Sequence, residues 1–102
     1  EAETAAKFLN KLGVKTPIIT MGEQGAFLYE HGLIPAFNVG EVVETTGAGD
    51  AFNGGFAVAL SEGKSALEAV KFGCATASIS VTRAGTAPSM PARNEVEEIL
   101  LV

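Results

Sequence analysis

The stretch that most constrains this chain is Glu44 to Gly55, which reads Glu-Thr-Thr-Gly-Ala-Gly-Asp-Ala-Phe-Asn-Gly-Gly. Two glycines flank one alanine and lead directly into apolar residues. Glycine lets a backbone turn sharply and approach a ligand closely. A helix is predicted from about Ala51 to Ser61. The free N–H groups of its first turn would point back at the turn, where the helix dipole favours an anion. A transferring phosphoryl group is one such anion, and its charge needs fixed donors. Asp50 is placed to accept a proton from an attacking hydroxyl, but an aspartate there can also serve only as a dipole partner. The glycine spacing fits neither the dinucleotide fingerprint nor the Walker A loop, which needs a Lys-Ser/Thr pair. On these residues alone the segment is an anion-binding helix start with a well-placed carboxylate.

The flanking sequence predicts an α/β arrangement. Ala5, Phe8, Leu9 and Leu12 fall at helical spacing in Glu1 to Leu12, with Gly13 as terminator. Lys15 to Met21 and Ala26 to Glu30 read as strands joined by the tight turn Gly22-Glu23-Gln24-Gly25. Leu33 to Phe37 and Glu41 to Val43 are weaker strand candidates, interrupted by Pro35 and Gly40. Ser65 and Glu68 form a capping box that opens a helix to about Val81. That helix is rich in small residues (Ala69, Gly73, Ala75, Ala77, Ser78), which permit close approach of a neighbour. Arg83 to Ala92 is a Gly- and Pro-containing loop, and a last helix runs from about Arg93 to Leu101. On it, Glu95, Glu97 and Glu98 read as a solvated face. His31, in a turn beside Gly32, reads as a solvated loop residue.

Composition narrows the partners. With 7 basic and 12 acidic residues the net charge is −5, which argues against a nucleic-acid surface. A nucleotide is not excluded, since a few backbone N–H groups can hold one. No apolar run approaches the roughly 20 residues of a membrane span. The single cysteine, Cys74, excludes an intrachain disulfide and fits an intracellular setting. The chain begins without Met, in what reads as the middle of a helix, and is expected to be a piece of a longer protein.

Thr45-Thr46-Gly47-Ala48-Gly49-Asp50-Ala51-Phe52-Asn53-Gly54 resembles the second signature of the ribokinase-like, or PfkB, carbohydrate kinases. The resemblance continues through Ala57 to Gly63, Glu68-Ala69-Val70, Ser80 to Arg83 with Gly85, and Pro88-Ser89 with Pro91, and covers nearly the whole chain. It implies the C-terminal portion of a three-layer α/β/α fold with a mostly parallel sheet. The family's lid and most of its sugar pocket lie N-terminal to this portion. It further implies a cytoplasmic enzyme that phosphorylates a sugar hydroxyl with ATP and Mg2+, with D-ribose favoured by Phe52-Asn53-Gly54 and the Ser80 to Pro91 blocks. A homodimer of the parent is compatible with it. The alternatives are a fructokinase or nucleoside kinase of the same family, or a non-catalytic α/β fragment.

Residue by residue, the resemblance makes Asp50 the base that also contacts the sugar hydroxyl, and the amides of Gly47, Ala48 and Gly49 an anion hole. Thr20, Gly22, Glu23 and Gly25 would line the ATP site with Gly49. Cys74 would face the adenine; read on its own, it is a small buried apolar residue. A monovalent cation, usually potassium, would be held by Glu44, the carbonyls of Thr46, Ser80, Arg83 and Gly85, and the Ser89 hydroxyl. The family has Asp where this chain has Glu44, which lengthens the arm by one methylene. Arg83 is claimed only for its carbonyl; its side chain reads as a surface charge. Asn38-Val39-Gly40-Glu41 formally fits the family's Asn-x-x-Glu motif, but that motif belongs upstream of the first helix, so the match reads as coincidence.

Overall fold

The computed structural model describes residues 1–83 and 91–101. Helix α1 (Ala2–Lys11) precedes three short strands, β1 (Ile18–Thr20), β2 (Ala26–Leu28) and β3 (Gly32–Ile34). Three helices follow: α2 (Ala48–Ser61), α3 (Ala66–Ser80) and α4 (Arg93–Leu101). The strands form an antiparallel sheet in the order β1-β2-β3, with Thr20 opposite Ala26 and Ala26 opposite Ile34. The described strands therefore contain no parallel pair, unlike the mostly parallel sheet that the resemblance implies. The connections explain this. Only Met21–Gly25 and Tyr29–His31 separate the strands, whereas parallel neighbours need a crossover of about a dozen residues.

β1 and β2 are shorter than expected, and three further elements differ from expectation. Glu41 to Val43 is not a strand, because the Val43 and Glu44 amides donate to the Val81 carbonyl at 2.7 and 3.1 Å and tie this segment to the end of α3. β3 is Gly32–Ile34 and ends before Pro35, which has no N–H to give a ladder. Helix α2 starts three residues early, at Ala48, because Gly47 adopts φ 88° and serves as its N-cap. α1 is also rotated from the expected face. Its fully buried residue is Ala6, whereas Phe8 and Leu12 are 60% and 67% exposed. Ala2, Ala6, Leu9 and Asn10 form the seated stripe instead. Asn10 is fixed there by accepting from the Tyr29 hydroxyl at 3.2 Å and donating to the Val14 carbonyl at 3.1 Å.

The core lies between the sheet and the α2/α3 pair. Ala26, Leu28 and Ile34 pack with Phe52, Val70 and Cys74. A second cluster joins Ala59, Ala69, Phe72, Ala75 and Ile79 to Val96 of α4. The small residues of α3 bring α2 close, as expected. A Cβ on Gly55 would lie 2.4 Å from Thr76 Oγ1, and one on Gly73 would lie 2.9 Å from the Phe52 ring. Gly54, next in α2, is exposed with open space around it. Gly55→Ala should therefore destabilise by about 1–3 kcal/mol through overpacking. Gly54→Ala should be stabilising by about 0.5–1 kcal/mol through helix propensity alone. Urea unfolding of the two variants checks this; equal effects would contradict the packing.

The Ser65–Glu68 capping box is present in both directions. Arg93 pairs with Glu62 and Glu97, and its guanidinium lies 5.5 Å over the Phe72 ring, fastening α4 to α2 and α3. Glu95 pairs with Arg83 and accepts from the Ala92 amide at 2.7 Å. Glu95 and Glu97 are thus ion-pair partners rather than a purely solvated face, and the Arg83 side chain is engaged rather than free. Glu62 and Glu95 are held below the ordinary carboxylate value chiefly by the guanidinium hydrogen bonds. Glu68 is held below it by the backbone and side chain of Ser65, and Glu44 by the side chain and backbone of Thr46. A depressed folded pKa gives stability that is present above the unfolded value, 4.5 for these groups, and lost as pH falls through the folded one. The thermal midpoint should stay level from neutral pH down to that value and fall below it. A profile flat to pH 3 would contradict these partners.

Candidate active site

The sheet, the head of α2 and one face of α3 enclose a cleft of about 410 Å³. The turn between β1 and β2 forms one wall. Its residues Gly22–Gln24 make a 3₁₀ turn, closed by Gly25 N–H donating to the Gly22 carbonyl at 3.1 Å. Thr20, Gly22, Glu23 and Gly25 all line the cleft, as do Gly49 of α2 and Cys74 of α3. The six residues expected around a nucleotide, dispersed over 55 positions from Thr20 to Cys74, therefore share one cavity. Ala36, Phe37, Val42, Phe52, Ala77 and Val81 give it an apolar interior, while Thr45, Ala48 and Gly49 form its polar end at the helix start.

At that end the amides are unequal. The Ala48 N–H donates to the Thr45 carbonyl at 3.1 Å, and the Ala51 N–H to the Gly47 carbonyl at 2.9 Å. Among the described residues the N–H groups of Gly47, Gly49 and Asp50 have no acceptor. The arrangement suits an anion, because three donors without acceptors lie at the positive end of a 14-residue helix. Asp50 is the third residue of α2 and solvent-exposed, one position beyond the Gly49 that edges the cleft.

Cys74 is 3% exposed, packs in the core and donates its thiol to the Ile34 carbonyl at 3.8 Å. Burial pushes that thiol up to about 11, so it stays neutral at physiological pH and serves as an apolar wall. Cys74 is thus a core residue, as its small apolar character suggests, and its surface also lines the cleft.

The candidate cation ligands come from two segments. Glu44 Oε2 accepts from the Thr46 N–H at 3.2 Å. The Ser80 carbonyl accepts from the Arg83 N–H at 3.1 Å. The segments meet where the Val43 and Glu44 amides share the Val81 carbonyl. Gly85 and Ser89 lie outside the described residues. Among the described residues no group of three or more His, Cys, Asp or Glu side chains could hold a metal, and no helix is long and apolar enough to cross a membrane.

The profile of the pfkB family carbohydrate kinases matches residues 1–93. The chain belongs to that family. It is 45% identical to the ribokinase of Haemophilus influenzae over 102 residues, which cover 97% of this chain and 33% of that protein. The crystal structure of Thermotoga maritima ribokinase superposes with a TM-score of 0.90 at 51% identity, over 98% of this chain and 34% of that one. The Arabidopsis thaliana ribokinase complexed with ribose and ATP gives 0.88 at 39% identity, over 97% and 33%. The fold is thus a portion of the ribokinase-like α/β fold, and the chain spans about a third of the length of the relatives it matches.

Sequence reasoning did not single out Phe37, Val42, Thr45, Ser78 or Val81 as lining residues. One signal was available for two of them. Cys74, Ser78 and Val81 are spaced i, i+4, i+7, so they share one face of α3, and that is the face the cleft uses.

Proposed function

We propose that this chain is the C-terminal part of a cytoplasmic carbohydrate kinase that transfers the γ-phosphate of ATP to a sugar hydroxyl, with the 5-hydroxyl of D-ribose as acceptor. The observation that carries the reading is the cleft, in which the Thr20–Gly25 turn and Cys74 face the open head of α2. The apolar interior suits a purine ring, and the helix start suits the phosphates. The relative complexed with ribose and ATP supports the choice of substrates.

In this reading the free amides of Gly47 and Gly49 hold the transferring phosphoryl group, with the Asp50 amide as a further donor. Ala48 plays a lesser part because Thr45 already takes its N–H. The Asp50 carboxylate takes the acceptor proton as the sugar oxygen bonds to phosphorus and the bond to the ADP oxygen breaks. Magnesium would accompany ATP and neutralise phosphate charge; no residue of this chain is assigned to it. A potassium ion would find hard oxygens of the right kind in the Glu44 carboxylate and the carbonyls of Thr46, Ser80 and Arg83. The Thr46 N–H, donating to Glu44 Oε2 at 3.2 Å, holds that carboxylate beside the Thr46 backbone.

Much of the sugar pocket is expected in the rest of the protein, and positioning accounts for a large share of such a rate. A coupled kinase assay should therefore give ribose turnover with the full-length protein and none measurable with the 102-residue chain. A panel of fructose and nucleosides tests the acceptor. No ATP-dependent phosphorylation of ribose by the full-length protein, faster phosphorylation of fructose or a nucleoside, or parental turnover by the isolated chain would overturn the proposal.

A further inference from the structure

Three contacts on a single face of α3 hold the segment that joins β3 to α2. The Cys74 thiol donates to the Ile34 carbonyl at 3.8 Å. The Phe37 N–H donates to the Ser78 hydroxyl oxygen at 3.0 Å. The Val81 carbonyl accepts from the Val43 and Glu44 amides at 2.7 and 3.1 Å. The middle contact is the one made by a hydroxyl: the Ser78 side chain is 7% exposed and accepts at ordinary hydrogen-bond distance, whereas the outer two use a thiol and a main-chain carbonyl. Both of its partners line the cleft, and Phe37 also packs against both core clusters. Between Pro35 and Val42 the segment has no strand partner among the described residues. The neighbouring Ala36 N–H reaches the Gln24 carbonyl only at 3.4 Å, so Ser78 supplies the shorter hydrogen bond that holds the backbone at Phe37 between the two outer anchors.

We propose that Ser78 is a positioning residue of the nucleotide site: by holding the Phe37 amide it sets the apolar wall against which the base of the phosphoryl donor packs. This rests on the kinase reading above. Removing the oxygen leaves the Phe37 N–H without its acceptor, and the wall then relaxes away from α3. The effect falls on donor binding, because Phe37 and Ser78 line the cleft whereas Asp50 does not.

The test uses the full-length protein and its Ser78→Ala and Ser78→Cys variants, assayed well below their thermal midpoints. Ser78→Ala should raise KM for ATP about tenfold, the equivalent of one hydrogen bond. KM for the sugar and kcat should change less than twofold. Ser78→Cys keeps the bulk but accepts only weakly, so it should behave like the alanine variant; if the latter does not fold, the cysteine variant decides. A KM for ATP within twofold of the parent in either folded variant would overturn the proposal, as would equal losses in all three parameters. An unsubstituted protein with no ATP-dependent turnover would instead sink the kinase reading itself.

Discussion

Replacing Asp50 by Asn in the full-length protein should lower kcat by about 10²–10⁴-fold, the usual contribution of a positioned general base. Affinity for ATP should hardly change. The amide keeps the size of the carboxylate and can still accept a hydrogen bond, but it cannot take the proton from the acceptor hydroxyl. The site's architecture should survive, because Asp50 makes no side-chain hydrogen bond or ion pair among the described residues and lies exposed in the first turn of α2. Gly47 still caps the helix in its left-handed conformation, and the Ala48 and Ala51 amides keep their carbonyl partners. ATP binding by isothermal titration and steady-state turnover therefore separate the two roles an aspartate can have at a helix start. A dipole partner would affect stability and leave turnover within a few-fold. A base would abolish most turnover in a protein that still binds its nucleotide.

How much of this was legible in the sequence depended on how local each cause was. The Ser65–Glu68 box, the terminating Gly13 and the small residues of α3 act over one or two turns, and each appears where the pattern places it. The start of α2 is not legible from the apolar pattern, because the helix is set by Gly47 entering the left-handed region, four residues before Ala51. The seat of α1 is not legible because Phe8 and Leu12 outweigh Ala2 and Ala6 in any hydrophobic pattern, whereas the helix is seated through the small residues and Asn10. Glu41 to Val43 has the alternation of a strand, yet its amides are spent on α3, a tertiary choice that local pattern cannot register. The six residues expected around a nucleotide rest on resemblance to the family. Their sharing one cleft follows from the hairpin turn, α2 and α3 meeting at the same end of the sheet. Ser78 escaped notice because a serine among alanines reads as filler until Phe37, 41 positions away, is seen to donate to it.

Gly25→Ala should be the most damaging single-methyl change in the hairpin, on the order of 2–6 kcal/mol from backbone strain plus overpacking. Gly25 adopts φ 111° and ψ −133°, outside the regions open to other residues. A Cβ there would lie 2.1 Å from the Ile34 carbonyl oxygen, 2.7 Å from the Ala36 nitrogen and 2.8 Å from the Pro35 carbonyl carbon. All three are backbone atoms, so no side-chain rotation relieves the contact. Nor can the residue swing away easily, since its carbonyl accepts from the Met21 N–H at 2.8 Å and its own N–H donates to Gly22. Relief requires moving the end of β3 from β2, which breaks the Ala26–Ile34 pairing and draws Ala36 and Phe37 out of the cleft wall. Gly22 is the control. It has φ 59° with open space around it, so Gly22→Ala should cost only about 1–2 kcal/mol for the left-handed conformation. Denaturant unfolding of the two variants should show this difference; equal losses would mean that β3 does not crowd Gly25. The same geometry affects how a binding experiment is read. Gly25 lines the cleft, but what forbids its side chain is β3, so weaker ATP binding by Gly25→Ala would report a displaced wall even if the nucleotide never touches that residue.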